Sequence, residues 1–298
     1  MGKKLLGVVM FCAMFVSCTT ESPKRVVAIA LDGISVEGFT KAKTPNLDKL
    51  LSEGALSLDT RVVMPSVTLP NWTSHLTGSG PEQHGVFGNG WTLEESKYPV
   101  PAKDADGYYP SVFSVLKEEV SGVKTAFYYN WINLFYPYNK KNVDEVSFLE
   151  NDAYKPNYEK AFRFCLSNKD NPTFVFLYSV HTDHAGHKHQ WMSDEYIASI
   201  EEADKEIGRF IENMKSSGLY DDTYFMFISD HGGINYGHGG TSSDEMIVPW
   251  GITGPGIRKG MNLTEPNNTV NTASVILNLF GVEKSDTWTG EVPMTIFE

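Results

Sequence analysis

Apolar residues gather in short unbroken runs at 26–31 (VVAIAL), 173–178 (TFVFLY) and 224–228 (YFMFI). Runs of this length without polar alternation fit strands buried on both faces, the state of strands inside a parallel sheet. Further strands are expected at 61–64, 123–129 and 247–252, and Pro249 places the last near a sheet edge. Between them the apolar positions recur at helical spacing. Ile197, Ile200, Ile207, Ile211 and Met214 mark one face of a helix over 193–214, and Leu47, Leu50 and Leu51 follow the start signal Thr44-Pro45. Helices are also expected at 72–77, 111–121, 158–166 and 272–279. Strands alternating with helices predict an α/β fold with a mostly parallel central sheet.

Each of the three strongest runs is followed by residues able to hold a metal. Asp32 follows the first, Asp183 and His187 the second, Asp230 and His231 the third, with His238 shortly beyond. Ligands of open α/β sheets bind at the carboxyl ends of the strands, so this recurrence points to a site there. Asp-His-Gly-Gly at 230–233 taken alone is equally good turn chemistry. Mixed imidazole and carboxylate donors suit zinc, with manganese or iron as alternatives, and six such groups are enough for two ions. Thr68 lies at or just before the start of the helix at 72–77, where free N–H groups and the helix dipole favour an anion. It is either a helix cap or a hydroxyl placed to attack phosphorus, activated by an adjacent ion.

The segment HTDHAGHKH at 181–189 reads as a loop, and His181, His184 and His189 are either supporting residues or surface histidines. Regions 91–109 and 131–152, rich in aromatic and polar residues, read as excursions at the rim. Their Trp91, Trp131 and Tyr136 either stack on a flat ligand or pack the excursions onto the core.

Composition narrows the partners. A net charge of -12 over 298 residues is ill suited to a nucleic-acid polymer, while a cationic metal site can still hold a small phosphate compound. Residues 1–17 carry two lysines and then an apolar segment too short to span a bilayer, the layout of a secretory signal. Ser17-Cys18 at its end resembles the lipobox of bacterial lipoproteins. That resemblance implies lipid on Cys18, a tether over 18–25, and membrane contact through the lipid alone, in the cell envelope of a Gram-negative-type bacterium. Simple signal cleavage is the alternative. Cys165 falls in the helical pattern at 158–166 and is expected in the core. Residues 26–298 are expected to form a single catalytic domain, and no pattern fixes an oligomeric state.

The motifs IALDG (29–33), MPSVTLPN (64–71), HGVFGN (84–89), DHAGH (183–187) and SDHGG (229–233) together resemble the nucleotide pyrophosphatase/phosphodiesterase family of the alkaline phosphatase superfamily. The resemblance implies an alkaline-phosphatase-like three-layer sandwich with the metal site at the strand C-terminal ends. It implies two Zn2+, one held by Asp32, Thr68, Asp230 and His231, the other by Asp183, His187 and a later histidine, for which His238 is the one available. Thr68 would become a covalent phospho-threonine, while Asn89 and the Thr68 backbone N–H hold a phosphoryl oxygen. The substrate expected is a small phosphodiester or nucleotide. Alternatives are a phosphomonoesterase or a phosphonoacetate-hydrolase-like enzyme, and, from another class, a lipid-anchored binding protein without catalysis. Among cationic residues near the motifs only Arg61 is available to clamp the dianion of a monoester.

Overall fold

The computed structural model describes residues 25–298 apart from Lys97. The expected signal peptide, Cys18 and the tether as far as residue 24 lie outside the described residues. The strands are β1 (Arg25–Leu31), β2 (Gly54–Arg61), β3 (Lys124–Tyr129), β4 (Glu145–Phe148), β5 (Thr173–Ser179), β6 (Thr223–Ile228), β7 (Ile247–Thr253), β8 (Met261–Asn262) and β9 (Asn267–Asn268). They form one sheet in the order β4-β3-β5-β1-β6-β7-β2-β8, with β9 also on β2. From β4 across to β6 every pairing is parallel, and β7 alone runs antiparallel to both its neighbours. β1 lies between β5 and β6, so both its edges are paired and every one of its residues is buried.

Helices cover both faces, giving an α/β sandwich of three layers. Val26, Ala28 and Ala30 of β1 pack with Leu69, Trp72 and Leu76 of the helix Thr68–Thr77 and with the helices Val112–Glu119 and Asn271–Leu279. The alternate residues Val27, Ile29 and Leu31 pack on the helices Pro45–Ser52, Lys155–Ser167 and Asp194–Ser216. The last of these buries Ile197, Ile200, Ile207, Ile211 and Met214, and Ser193 caps it by accepting a hydrogen bond from the Tyr196 N–H at 3.2 Å. Each such aliphatic side chain contributes about 1.5–3 kcal/mol on leaving water. Cys165 is fully buried in the same layer.

Four sequence expectations need correction or refinement. Residues 61–64 are not a strand; β2 ends at Arg61, and Val62 is apolar because it packs on Met246 and Val248 in a small separate cluster. β7 is not near an edge, since β6 and β2 flank it. Pro249 is tolerated because the β2–β7 register shifts there: Ser57 faces Trp250 and Thr60 faces Val248, so the bulge leaves no ladder bond for Pro249 to miss. Residues 181–189 form a helix rather than a loop. Glu145–Phe148, inside the 131–152 region, pairs parallel to β3 as the outermost strand.

The helix carrying Thr68 is built to start where it does. Asn71, fully buried, accepts from the Val63 N–H at 2.8 Å and donates to the Pro65 and Val67 carbonyls at 3.0 Å each, which fixes the turn leading into Thr68. Pro70 lies in the first turn, where a missing N–H costs nothing. Gly78, at φ 60°, ends the helix.

Candidate active site

Strands β5, β1 and β6 are neighbours, and the residues following each of them meet at one end of the sheet. Asp32 and Asp230 leave β1 and β6, His231 follows, and Thr68 reaches in from the start of its helix on one face. His231 Nε2 lies 3.3 Å from Asp32 Oδ1, 3.2 Å from Asp230 Oδ2 and 3.3 Å from Thr68 Oγ1. All four residues are buried. The other ring nitrogen of His231 sits 2.8 Å from the Gly232 carbonyl, which fixes the proton on Nδ1 and turns the bare lone pair of Nε2 toward the carboxylates.

A second group adjoins the first. Asp183 and His187 lie one turn apart on the helix His181–His189, with Asp183 Oδ1 3.5 Å from His187 Nε2 and 3.6 Å from His238 Nε2. His187 Nδ1 lies 2.8 Å from the Tyr236 carbonyl and His238 Nδ1 3.0 Å from the Ser66 carbonyl, so both rings turn Nε2 toward Asp183. The His238 ring stacks on His231 at 3.6 Å between centroids. Ligand atoms of Asp32, Asp230 and His231 lie within 4.8 Å of one another, as do those of Asp183, His231 and His238. His231 therefore belongs to both groups.

Lone-pair donors pointing together in this way repel unless protons or a cation sit among them. Asp32 Oδ1, Asp183 Oδ1 and Asp230 Oδ2 are buried with no hydrogen-bond donor in reach. Burial and the neighbouring Asp183 push the Asp32 carboxyl up to about 8, and burial raises Asp183 to about 7. Asp230 is raised well above the ordinary range by burial and by Asp32. Burial, with His238 nearby, holds His231 neutral. The set of imidazole nitrogens and carboxylate oxygens fits divalent cations such as zinc, with Asp32, Asp230 and His231 as one group and Asp183, His231 and His238 as the other, His187 adjoining the second through Asp183.

Asn89 stands beside Thr68: its Oδ1 accepts from the Leu69 N–H at 2.8 Å, and its own carbonyl accepts from Asn133 Nδ2 at 2.9 Å. The side-chain NH2 of Asn89 is the half left for a ligand. Of the extra histidines, His181 is buried against Tyr154 at 3.9 Å and His184 pairs with Asp152 at 2.7 Å, so neither joins the ligand groups. Trp91 and Trp131 are partly buried against the core, and Trp91 lines a cavity of about 410 Å³ beneath the 91–109 excursion. Tyr136 is 41% exposed and lines a groove of about 510 Å³ with Ile132 and Phe135. Arg61 is exposed, and the groups bonded around Thr68 and Asn89 include no Arg or Lys among the described residues.

Sequence reasoning missed the residues that hold Asp32. Its second oxygen, Oδ2, accepts from the Trp72 indole at 3.3 Å and from the Tyr178 hydroxyl. Two weak signals existed. Trp72 lies four residues after Thr68, on the same helix face, and Tyr178 is the polar-tipped residue near the end of β5.

The fold and the site define a class: an α/β protein with a metal-capable centre at the strand ends and a hydroxyl at a helix start beside it. The family described as type I phosphodiesterase / nucleotide pyrophosphatase matches residues 26–243, and the chain belongs to it. It is similar to a pyrophosphatase/phosphodiesterase of Schizosaccharomyces pombe, described as uncharacterized, at 27% identity over 72% of this chain and 46% of that one. It is similar also to the Bos taurus bis(5'-adenosyl)-triphosphatase ENPP4, at 25% identity over 77% of this chain and 52% of that one. The chain thus spans about half the length of these curated relatives. Among solved structures, murine ectonucleotide pyrophosphatase/phosphodiesterase 5 in complex with AMP superposes with a TM-score of 0.76 at 14% identity, over 92% of this chain and 100% of that one.

Proposed function

We propose that this chain is a two-zinc phosphodiesterase that cleaves small phosphodiesters or nucleotide phosphoanhydrides through a phospho-threonine on Thr68. The observation that carries this reading is the pair of adjoining groups, three His Nε2 atoms with three unpartnered carboxylate oxygens, the first of which meets the buried Thr68 hydroxyl at a helix start. The family and the AMP bound to the murine structure support the substrate class. Asp32, Asp230 and His231 would hold one ion beside Thr68, and Asp183, His187 and His238 the other. Such ions, when bound, lower the pKa of a neighbouring hydroxyl and balance charge on the phosphoryl oxygens.

The chain's own groups do the rest. Thr68 Oγ1 gives up its proton to solvent as it forms the new bond to phosphorus, the bond to the leaving oxygen breaks, and that oxygen departs with the electron pair and takes up a proton from solvent. The Asn89 NH2 and the Thr68 backbone N–H bind a non-bridging oxygen, a single pair of donors suited to the one negative charge of a diester. Water then attacks the phospho-threonine, returning the proton to Thr68 and releasing a monoester. Trp72 and Tyr178 keep Asp32 aimed throughout. The exposed position of Arg61 supports the diester over the monoester reading.

The test compares rates on an aryl phosphodiester and the matching aryl phosphomonoester, with Thr68→Ala as control. A strong diester preference and an inactive control are expected; a monoester preference would assign the chain to the phosphatase side. We also propose lipid attachment at Cys18, supported by the lipobox-like sequence alone. Partition of the expressed chain into detergent, lost in Cys18→Ala, checks it.

A further inference from the structure

Trp191 has no place in the chemistry above, yet it is wedged between all the segments that bear the candidate ligands. It is buried, its indole N–H donates to the Gly33 carbonyl at 3.0 Å, and its backbone N–H donates to the Asn235 carbonyl at 2.7 Å. The first bond ties it to the residue after Asp32, the second to the loop between His231 and His238. Its ring stands edge-on to His187, with centroids 5.1 Å apart and planes at 85°, and lies 5.9 Å from His238 at 63°.

Two glycines make room for it. A Cβ on Gly186 would come within 2.7 Å of the indole and one on Gly233 within 2.2 Å. The chain pays a conformational cost on either side: Gln190 at φ 82° and Met192 at φ 70° are non-glycine residues in the left-handed region. Such backbone persists only where the surroundings dictate it, and here the surroundings are the fit of one side chain.

The consequence is unequal for the candidate ligands. His231 is completely buried and stacked on His238, whereas the His187 side chain is 43% exposed and is restrained by its bond to the Tyr236 carbonyl and by the Trp191 ring. Removing the indole frees His187 to swing and loosens one side of His238. It leaves the side-chain contacts of Asp32, Asp230 and His231 in place, and the Gly33 carbonyl, losing the indole donor, keeps the Tyr196 hydroxyl at 2.8 Å.

We propose that Trp191 is a positioning residue that sets His187 and His238 for the cation shared with Asp183, and so governs occupancy of that position and not of the one beside Thr68. The proposal rests on the two-cation reading. Co2+ serves as the probe: the metal-free protein is titrated calorimetrically and by visible absorption, in wild type, Trp191→Phe, Trp191→Leu and Gly233→Ala.

Wild type should bind two ions. Trp191→Leu should weaken one of the two by about 10–100-fold, the usual effect of losing a residue that orients a metal ligand, and leave the other unchanged. The absorption band that appears with the weakened ion should shift. Trp191→Phe keeps a ring edge against His187 and should recover part of the loss. Gly233→Ala displaces the indole without altering it and should reproduce the Leu result. Far-UV circular dichroism identifies any variant that does not fold, and the conservative Phe variant alone still decides. Equal weakening of both ions, or of neither, overturns the proposal while leaving the two-cation reading intact. A wild type that binds a single ion overturns that reading and the proposal with it.

Discussion

Loading the metal-free site should expel protons. At pH 7 an ordinary aspartate near 3.9 is ionised and has nothing to release. Here burial and the charge of Asp183 push Asp32 up to about 8, burial raises Asp183 to about 7, and burial with the charge of Asp32 raises Asp230 as well. Asp32 is then mostly protonated at pH 7 and Asp183 about half so, and Asp230 is shifted in the same direction. Burial lowers His231 and His238, so these two imidazoles are neutral and add nothing. Zinc binding should therefore release about one proton or more at pH 7, and fewer at pH 9, where Asp32 and Asp183 are already ionised. Calorimetric titration in buffers of different ionisation enthalpy reads the number from the slope of heat against buffer enthalpy. A slope of zero at pH 7 would refute the reasoning, since it would mean that the metal-free carboxylates are charged and tolerated. Stability supplies a second readout. A group whose folded pKa is raised favours the fold most below its unfolded pKa, and that contribution is lost as pH rises through the folded value. The chelated protein should accordingly lose melting temperature between pH 6 and pH 9, and the zinc-loaded protein should not.

Thr68→Ala should lower turnover of an aryl diester by about a thousandfold or more while zinc content by elemental analysis stays at the wild-type level; full activity in the variant would make water the nucleophile. Trp72→Phe removes a hydrogen bond to buried Asp32 and should cost about 1.5–3 kcal/mol of zinc affinity or stability, read by calorimetry and urea midpoint. Buried His75 and His84 are pushed down by burial to about 4 and about 3. The unfolded chain takes up these protons first, so stability should fall as pH drops below about 6.5, by on the order of 3 kcal/mol for His75 once pH passes its folded value. An acid limb in the urea midpoint that His75→Gln leaves unchanged would contradict this. Ile207→Ala, at a fully buried position on the helix Asp194–Ser216, should cost about 2–5 kcal/mol in the same denaturation assay.

The sheet and the polar residues at its strand ends were legible because buried strands need unbroken apolar runs, and Asp32, Asp183 and Asp230 interrupt the pattern just where those runs stop. The helix His181–His189 was not legible by the same rule, since it has no apolar stripe. Its one readable sign was the four-residue spacing of Asp183 and His187, which a helix places on one face. Pro249 misled because its meaning depends on a bulge in a partner strand almost two hundred residues earlier. Trp72, Tyr178 and Trp191 act across distances in sequence that no local pattern spans.

The adjacency of β5, β1 and β6 works as a ruler. Neighbouring strands lie about 4.8 Å apart, a distance set by backbone hydrogen bonds and indifferent to side chains. Asp32 and Asp230, just after β1 and β6, step across the sheet on that spacing, and Asp183 comes beside them on the helix that follows β5, so a pair of cations held there would take part of its separation from the ladder, on the scale of the roughly 4 Å that suits two ions gripping one phosphate. Loops and excursions around the mouth can then vary in length and sequence to suit different leaving groups, and the gauge beneath them stays fixed.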